Sequence, residues 1–225
     1  MQDGGVISSQ QQGDLGQRRQ VSVLFADMVG YTSIVSKLDE EQALEFVRLV
    51  YDTLSGAVSQ HGGTVRDFAG DSIMALFGIP DALEDPAERA CRAADAIHHA
   101  FLASAQKIEA RFGVRPQMRV GISSGTVLMA AVQGADGPAT AVGSTVNMAS
   151  RIENLAPSGG TLICDKTRSL VEWVTELRFD GEHQLKGLAA PQKLWQLQSV
   201  RADASRFDAS VARGLSTYVG RDSEL

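Results

Sequence analysis

The chain has 225 residues, with 21 Lys and Arg against 27 Asp and Glu, which gives a formal net charge of −6. This length suits one α/β domain with a single core. An acidic chain without a basic stripe excludes nucleic acid as the expected partner, and the lack of an apolar run of 18 residues excludes a membrane span in this segment. Two cysteines without a CxxC pair predict buried, reduced thiols and a cytoplasmic location.

The first half of the chain predicts a strand, a helix, a hairpin and a second helix. Residues 1–20 are rich in Gln and Gly and predict a flexible lead-in. An apolar run at 21–26 predicts a buried strand, and helical spacing predicts a helix over 38–61. Gly70-Asp71 joins two short apolar runs, at 64–69 and 72–77, as in a tight hairpin. Pro86 opens a helix that reaches Phe112.

The second half predicts a strand pair at 117–123 and 126–132 around Ser124-Gly125. Ser144 is expected to cap a helix ending near Leu155, and a helix at 166–174 and a strand at 193–200 follow. The order predicts an α+β fold: a βαββαβ ferredoxin-like core with extra C-terminal elements, around a central, mostly antiparallel sheet flanked by helices.

Two aspartates stand where chemistry could occur. Asp27 follows the first strand, and Asp71 lies in the hairpin. If the hairpin pairs beside that strand, both carboxylates meet at one sheet edge. Mg²⁺ is commonly held by one or two carboxylates and substrate phosphates, and two such ions can activate an attacking oxygen and steady a leaving one. An Asp in a turn is also a common turn residue, so neither position is decisive alone.

Other polar residues could serve a phosphate substrate. Asn147 and Arg151 are four residues apart and share one helix face; a solvated face, with Arg151 near Glu153 or Glu45, is the alternative. The Gly30-Tyr31-Thr32 loop beside the first aspartate could present backbone N–H groups to phosphates. The chain has no GxxxxGK[ST] motif and is therefore not a P-loop NTPase.

Together these segments resemble the class III adenylyl and guanylyl cyclase family over about residues 21–200. The segments that carry the resemblance occur in the family's order and spacing: VSVLFADMVGYTS (21–33), GGTVRDFAGDSIMALFG (62–78), MRVGISSG (118–125), TAVGSTVNMASRIENLA (140–156) and LKGLAAPQKLWQL (185–197).

The resemblance implies a nucleotidyl cyclase domain that acts as a head-to-tail homodimer with its active sites at the interface. It implies two Mg²⁺ or Mn²⁺ ions per active site, held by Asp27, Asp71 and the backbone carbonyl of Met28. The residues implied to face the triphosphate are Gly30, Tyr31, Thr32, Arg119 and Lys186. The partner subunit would supply Asn147 to the ribose and Arg151 to the reacting phosphorus.

The base-binding positions depart from the adenylyl cyclase pattern. Adenylyl cyclases usually carry Lys four residues before the second metal aspartate, whereas Asp67 stands there in this chain. The partnering base-contact position, seven residues before Asn147, is Thr140. An acidic residue resembles the guanine-binding residue of guanylyl cyclases. ATP is the expected substrate with GTP possible, and a position 67 that does not touch the base is the alternative.

The C-terminal tail, residues 201–225, resembles a segment that precedes an ATPase domain in some large bacterial cyclases. It is expected to be a linker toward a regulatory C-terminal domain; a native disordered tail is the alternative. A second reading of the whole chain is a weak or inactive cyclase-like module that binds nucleotide or dimerises and regulates an attached domain. A diguanylate cyclase is excluded because no GGDEF-like signature is present.

Overall fold

The computed structural model describes residues 17–130 and 140–202. Within these residues the strands are β1 (Gln17–Met28), β2 (Gly63–Ala69), β3 (Ser72–Phe77), β4 (Met118–Ala130), β5 (Thr140–Val142), β6 (Thr161–Cys164), β7 (Thr175–His183) and β8 (Gln192–Val200). The helices are α1 (Tyr31–Val35), α2 (Glu40–Gln60), α3 (Pro86–Phe112), α4 (Ser144–Leu155) and α5 (Asp165–Val171).

One sheet contains all of these strands. Its order is β2-β3-β1-β4-β6-β8-β7, and β5 pairs with the outer end of β4. Neighbouring strands are antiparallel except β4 and β6, which are parallel. The strands β1 to β4, with α2 and α3, form the predicted βαββαβ core, and β6 to β8 extend the sheet beyond β4. The predicted α+β fold with a mostly antiparallel central sheet is confirmed.

Helices cover both faces of the sheet. On one face α2 and α3 pack over the largest buried cluster, where the rings of Phe46 and Phe112 meet edge to face with centroids 5.2 Å apart. On the other face α4 lies on β4 and β1. This approach requires a glycine, because a Cβ at Gly121 would overlap the backbone nitrogen of Glu153 and lie 2.5 Å from the carbonyl oxygen of Ala149. The helix backbone therefore rests directly on the strand.

The predicted turn at Ser124-Gly125 is wrong, because β4 runs through it without a break. Ser124 is buried and its hydroxyl shares a 2.7 Å hydrogen bond with that of Ser22 on β1. Gly125 is small for a packing reason: a Cβ there would lie 2.5 Å from the hydroxyl oxygen of Thr145 on α4. The two residues that predicted a turn are instead buried: Ser124 contacts the neighbouring strand β1, and Gly125 contacts α4.

Several boundaries also differ. The first strand begins at Gln17 rather than residue 21, since its polar end pairs with the outer part of β4, where Gln20 donates to Thr126 at 2.8 Å. Ser144 does not cap α4; the cap position is Gly143, which makes no side-chain hydrogen bond. The helix predicted at 166–174 is α5 and ends at Val171. Residues 1–16 of the lead-in predicted at 1–20, and residues 203–225 of the linker predicted at 201–225, lie outside the described residues.

Cys91 and Cys164 are free and buried, as expected, while the cytoplasmic location inferred from them stays a prediction. In the described ranges, no helix is both long enough and apolar enough to cross a bilayer.

Candidate active site

Asp27 and Asp71 meet at one edge of the sheet, as predicted. Asp27 lies near the end of β1, Asp71 lies in the β2–β3 turn, and β1 pairs with β3 through Ala26 and Ile73. The Asp71 carboxylate lies close to that of Asp27, while its own backbone N–H and that of Met28 favour its charged form. Burial and the charge of Asp27 raise the pKa of Asp71 to about 6.

Arg119 is the cation closest to this pair. It lies opposite Asp27 in the β1–β4 register, and its Nη2 donates to the Oδ2 of Asp27 at 2.6 Å. Its Nε lies 3.4 Å from Oε1 of Glu153 on α4. Burial and then the charge of Asp27 raise the pKa of Glu153 to about 7, while Arg119 opposes the shift. Two carboxylates, those of Asp27 and Glu153, therefore contact one guanidinium.

The Gly30-Tyr31-Thr32 segment is the start of a short helix rather than a free loop. Gly30 has φ 73°, a conformation that favours glycine, and α1 begins directly after it. The Tyr31 ring lies close to Gly70 in the hairpin turn, and burial together with the charge of Asp71 raises the pKa of its hydroxyl. This segment thus lies beside the carboxylate pair.

Helix α4 carries the second group of candidate residues. Its sheet-facing side consists of Thr145, Ala149, Ile152 and Glu153, whereas Asn147 is exposed. The carboxylates considered above as partners for Arg151 bind other arginines: Glu153 pairs with Arg119, and Glu45 with Arg111.

Arg151 instead lies against the connection between β7 and β8. Its guanidinium approaches Gly187, which has φ 77° and follows the exposed Lys186. Arg151 makes no ion pair with another residue in the described parts of the chain. Lys186 and Arg151 are therefore brought to neighbouring positions, and neither side chain pairs with a carboxylate of residues 17–130 or 140–202.

Asp67 lies on the same face of the sheet as Asp27. The register shifts between Val65 and Asp67, so Asp67 pairs with Met74, which in turn pairs with Phe25 on β1. This irregularity turns the exposed Asp67 away from α2 and α3. Thr140, the other predicted base contact, begins β5 and pairs with Ala130.

Glu153 is a residue of this site that the sequence did not predict. The spacing of Thr145, Ala149 and Glu153, four residues apart, does indicate that they share one helix face. A buried acid on an otherwise apolar face needs a partner, but the sequence did not indicate that the partner is Arg119.

The family model for the adenylate and guanylate cyclase catalytic domain matches residues 14–199. The chain belongs to this family. Its members generally use divalent metal ions.

Similar proteins include cyclases for both purines. The guanylyl cyclase Cya2 is 26% identical, with a TM-score of 0.79 over 84% of this chain and 96% of that one. The adenylyl cyclase CyaB from P. aeruginosa is 28% identical, with a TM-score of 0.79 over 84% and 98%. Adenylate cyclase 1 of Rhizobium meliloti is 28% identical over 92% of this chain and 32% of its own length. The cyclase domain spans a third or less of the first curated relatives it matches.

The carboxylate pair suits a divalent cation. Two acids so close that the charge of one raises the pKa of the other gain from a positive ion placed between them. The described residues contain no group of three or more His, Cys, Asp or Glu side chains arranged around a common metal position. A metal at Asp27 and Asp71 would thus need backbone and substrate oxygens as further ligands, which is how Mg²⁺ is usually bound beside phosphates.

Proposed function

We propose that this domain converts a nucleoside triphosphate, ATP first and GTP second, into a 3′,5′-cyclic nucleotide and pyrophosphate by two-metal catalysis at a dimer interface. The observation that carries the proposal is the carboxylate pair of Asp27 and Asp71, within hydrogen-bonding reach of each other at one sheet edge, with Arg119 beside them. Family membership supplies the class of reaction.

The metal-binding half of the site would come from one protomer. Asp27, Asp71 and the Met28 carbonyl would hold two Mg²⁺ or Mn²⁺ ions. When bound, these ions lower the pKa of the ribose 3′-hydroxyl and neutralise the departing pyrophosphate. The triphosphate would lie against positively charged and backbone donors of this half: Gly30, Tyr31, Thr32 and Arg119.

The second half would come from the partner protomer. Asn147 is exposed on α4 and could orient the ribose through its amide, and Arg151 offers a fixed planar fork of donors to charge that develops on the reacting phosphorus. Lys186, next to the Gly187 contact of Arg151, would add a charge for the triphosphate. No covalent intermediate with the protein is required.

Purine choice would involve Asp67 and Thr140. Asp67 is exposed on the sheet face that carries Asp27, which supports a contact with substrate rather than with the core. A carboxylate there accepts hydrogen bonds, which suits the N1–H and N2–H₂ donors of guanine better than the adenine edge. GTP therefore stays a substrate candidate.

Purified protein incubated with ATP or GTP and Mg²⁺ or Mn²⁺ tests the proposal. We expect cyclic nucleotide and pyrophosphate in equal amounts, and we expect Asp71→Asn to lower the rate at least about 100-fold, since a metal ligand is lost. The dimer fraction should be measured by sedimentation in the same samples. A fully dimeric wild type that binds nucleotide without turnover would favour the alternative, a cyclase-like regulatory module.

A further inference from the structure

We propose that Glu153 is a positioning residue for the metal-binding half of its own protomer, acting through Arg119. The inference rests on the proposed function for its catalytic meaning. It assigns to Glu153 a role on the Asp27 side of the domain, although the residue lies on the helix that would serve the partner's site.

The geometry is that of one arginine shared between two acids. Arg119 donates from Nη2 to Asp27 at 2.6 Å, and its Nε lies 3.4 Å from Oε1 of Glu153. The Nε of Arg119 and the Oε1 of Glu153 are both buried, and neither has a hydrogen-bond partner within the described ranges. Buried donors and acceptors are rarely left unpaired, so this pair lies one small movement away from a direct hydrogen bond.

Cation binding at Asp27 would favour that movement. In the structure, Oδ2 of Asp27 accepts a hydrogen bond from Arg119, so a cation on this carboxylate would repel the neighbouring guanidinium. Glu153 is 6% exposed and is the other acid in contact with Arg119. It therefore offers the displaced arginine a charge-assisted hydrogen bond away from Asp27.

Glu153 is held in place for this role. Its backbone nitrogen packs against Gly121, the residue two positions after Arg119 on the same strand face. Arg151 is only two residues earlier, but residues two apart do not face each other on a helix. The structure thus links Glu153 to Arg119 and Asp27 more directly than to the residues that would reach the partner.

Metal binding without nucleotide gives the first test. Mn²⁺ is titrated into the purified dimer at pH 8 and free Mn²⁺ is followed by electron paramagnetic resonance. Glu153→Gln should weaken Mn²⁺ binding about tenfold, the effect of losing one charge-assisted hydrogen bond for the displaced arginine. The control is Glu88→Gln, which removes an acid that is 14% exposed and paired with Arg92 at the start of α3. Equal Mn²⁺ affinity in Glu153→Gln and wild type would overturn the inference.

Mixed dimers give the second test. A chain with Arg151→Ala keeps its metal-binding half, and a chain with Asp71→Asn keeps its α4 half, so the mixed dimer has one complete site. Glu153→Gln is then added to one chain of the mixed dimer at a time. It should lower product formation more when it is in the Arg151→Ala chain, which supplies the metal-binding half of the complete site, than when it is in the Asp71→Asn chain. An equal or reversed effect would contradict the inference.

Thermal unfolding of each variant, followed by circular dichroism, separates a folding defect from a positioning defect. If the Arg151→Ala and Asp71→Asn chains form mixed dimers without the Glu153→Gln change and make no product, the proposed function is refuted. The Mn²⁺ titration would still decide the role of Glu153.

Discussion

At the scale of single residues, the ionised Asp71 carboxylate lowers the stability of the folded protein. Partial burial and the charge of Asp27 raise the pKa of Asp71 to about 6, so the folded protein binds this proton more tightly than the unfolded chain does. The ionised Asp71 carboxylate therefore costs stability above the folded pKa, and the cost disappears below the unfolded pKa, near 4. Such perturbed acids are typical of functional sites.

Asp71→Asn should for this reason stabilise the metal-free protein at pH 8. We expect a gain of about 1 kcal/mol in the free energy of unfolding, less than the full conversion of the pKa shift because the site is partly open to solvent. The gain should be absent at pH 4. Urea unfolding at both pH values measures it, with Asp52→Asn on the exposed side of α2 as the control. A destabilised Asp71→Asn at pH 8 would contradict the described environment.

Asp67 gives a second prediction at this scale. Asp67→Lys replaces an acceptor by a donor at the proposed base edge, so the rate ratio of ATP to GTP should rise about tenfold, the discrimination expected from one hydrogen bond. Initial rates with each nucleotide under the same metal measure the ratio. An unchanged ratio would mean that residue 67 does not touch the base.

At the scale of elements, the position of α4 depends on the absence of a side chain at Gly121. Gly121→Ala would force its Cβ into the backbone of Glu153 and toward the Ala149 carbonyl, so α4 must move outward. We expect a loss of about 1–3 kcal/mol in unfolding free energy and reduced cyclase activity through Arg151. The matched control is Gly56→Ala in α2, where a Cβ meets nothing within 4 Å and alanine favours the helix. A Gly121→Ala protein as stable as wild type would refute this packing account.

The same elements mark the limits of prediction from sequence. Periodicity located α2 and α3 to within about two residues, and an aspartate after an apolar strand correctly indicated the sheet edge where Asp27 and Asp71 meet. The continuous course of β4 was missed because Ser124 and Gly125 have turn chemistry locally, while their reason for being small lies on β1 and α4. Local patterns cannot report such contacts, and the pairing of Arg119 with Glu153 was missed for the same reason.

At the scale of the molecule, the proposed mechanism assigns two separate half-sites to each protomer. If catalysis needs both halves, activity should depend on the dimer population. Specific activity should therefore fall on dilution in parallel with the dimer fraction measured by sedimentation, and recover on concentration. A specific activity that stays constant while the protein dissociates would contradict a composite site.

The most direct test of the account mixes two inactive proteins. In the proposed mechanism, Asp71→Asn disables the metal-binding half and Arg151→Ala disables the transition-state half. Random exchange of subunits should restore about a quarter of wild-type activity, because half of the dimers are mixed and each mixed dimer has one complete site. A mixture that exchanges subunits, as shown by fluorescence energy transfer, yet forms no cyclic nucleotide would contradict the two-protomer cyclase mechanism.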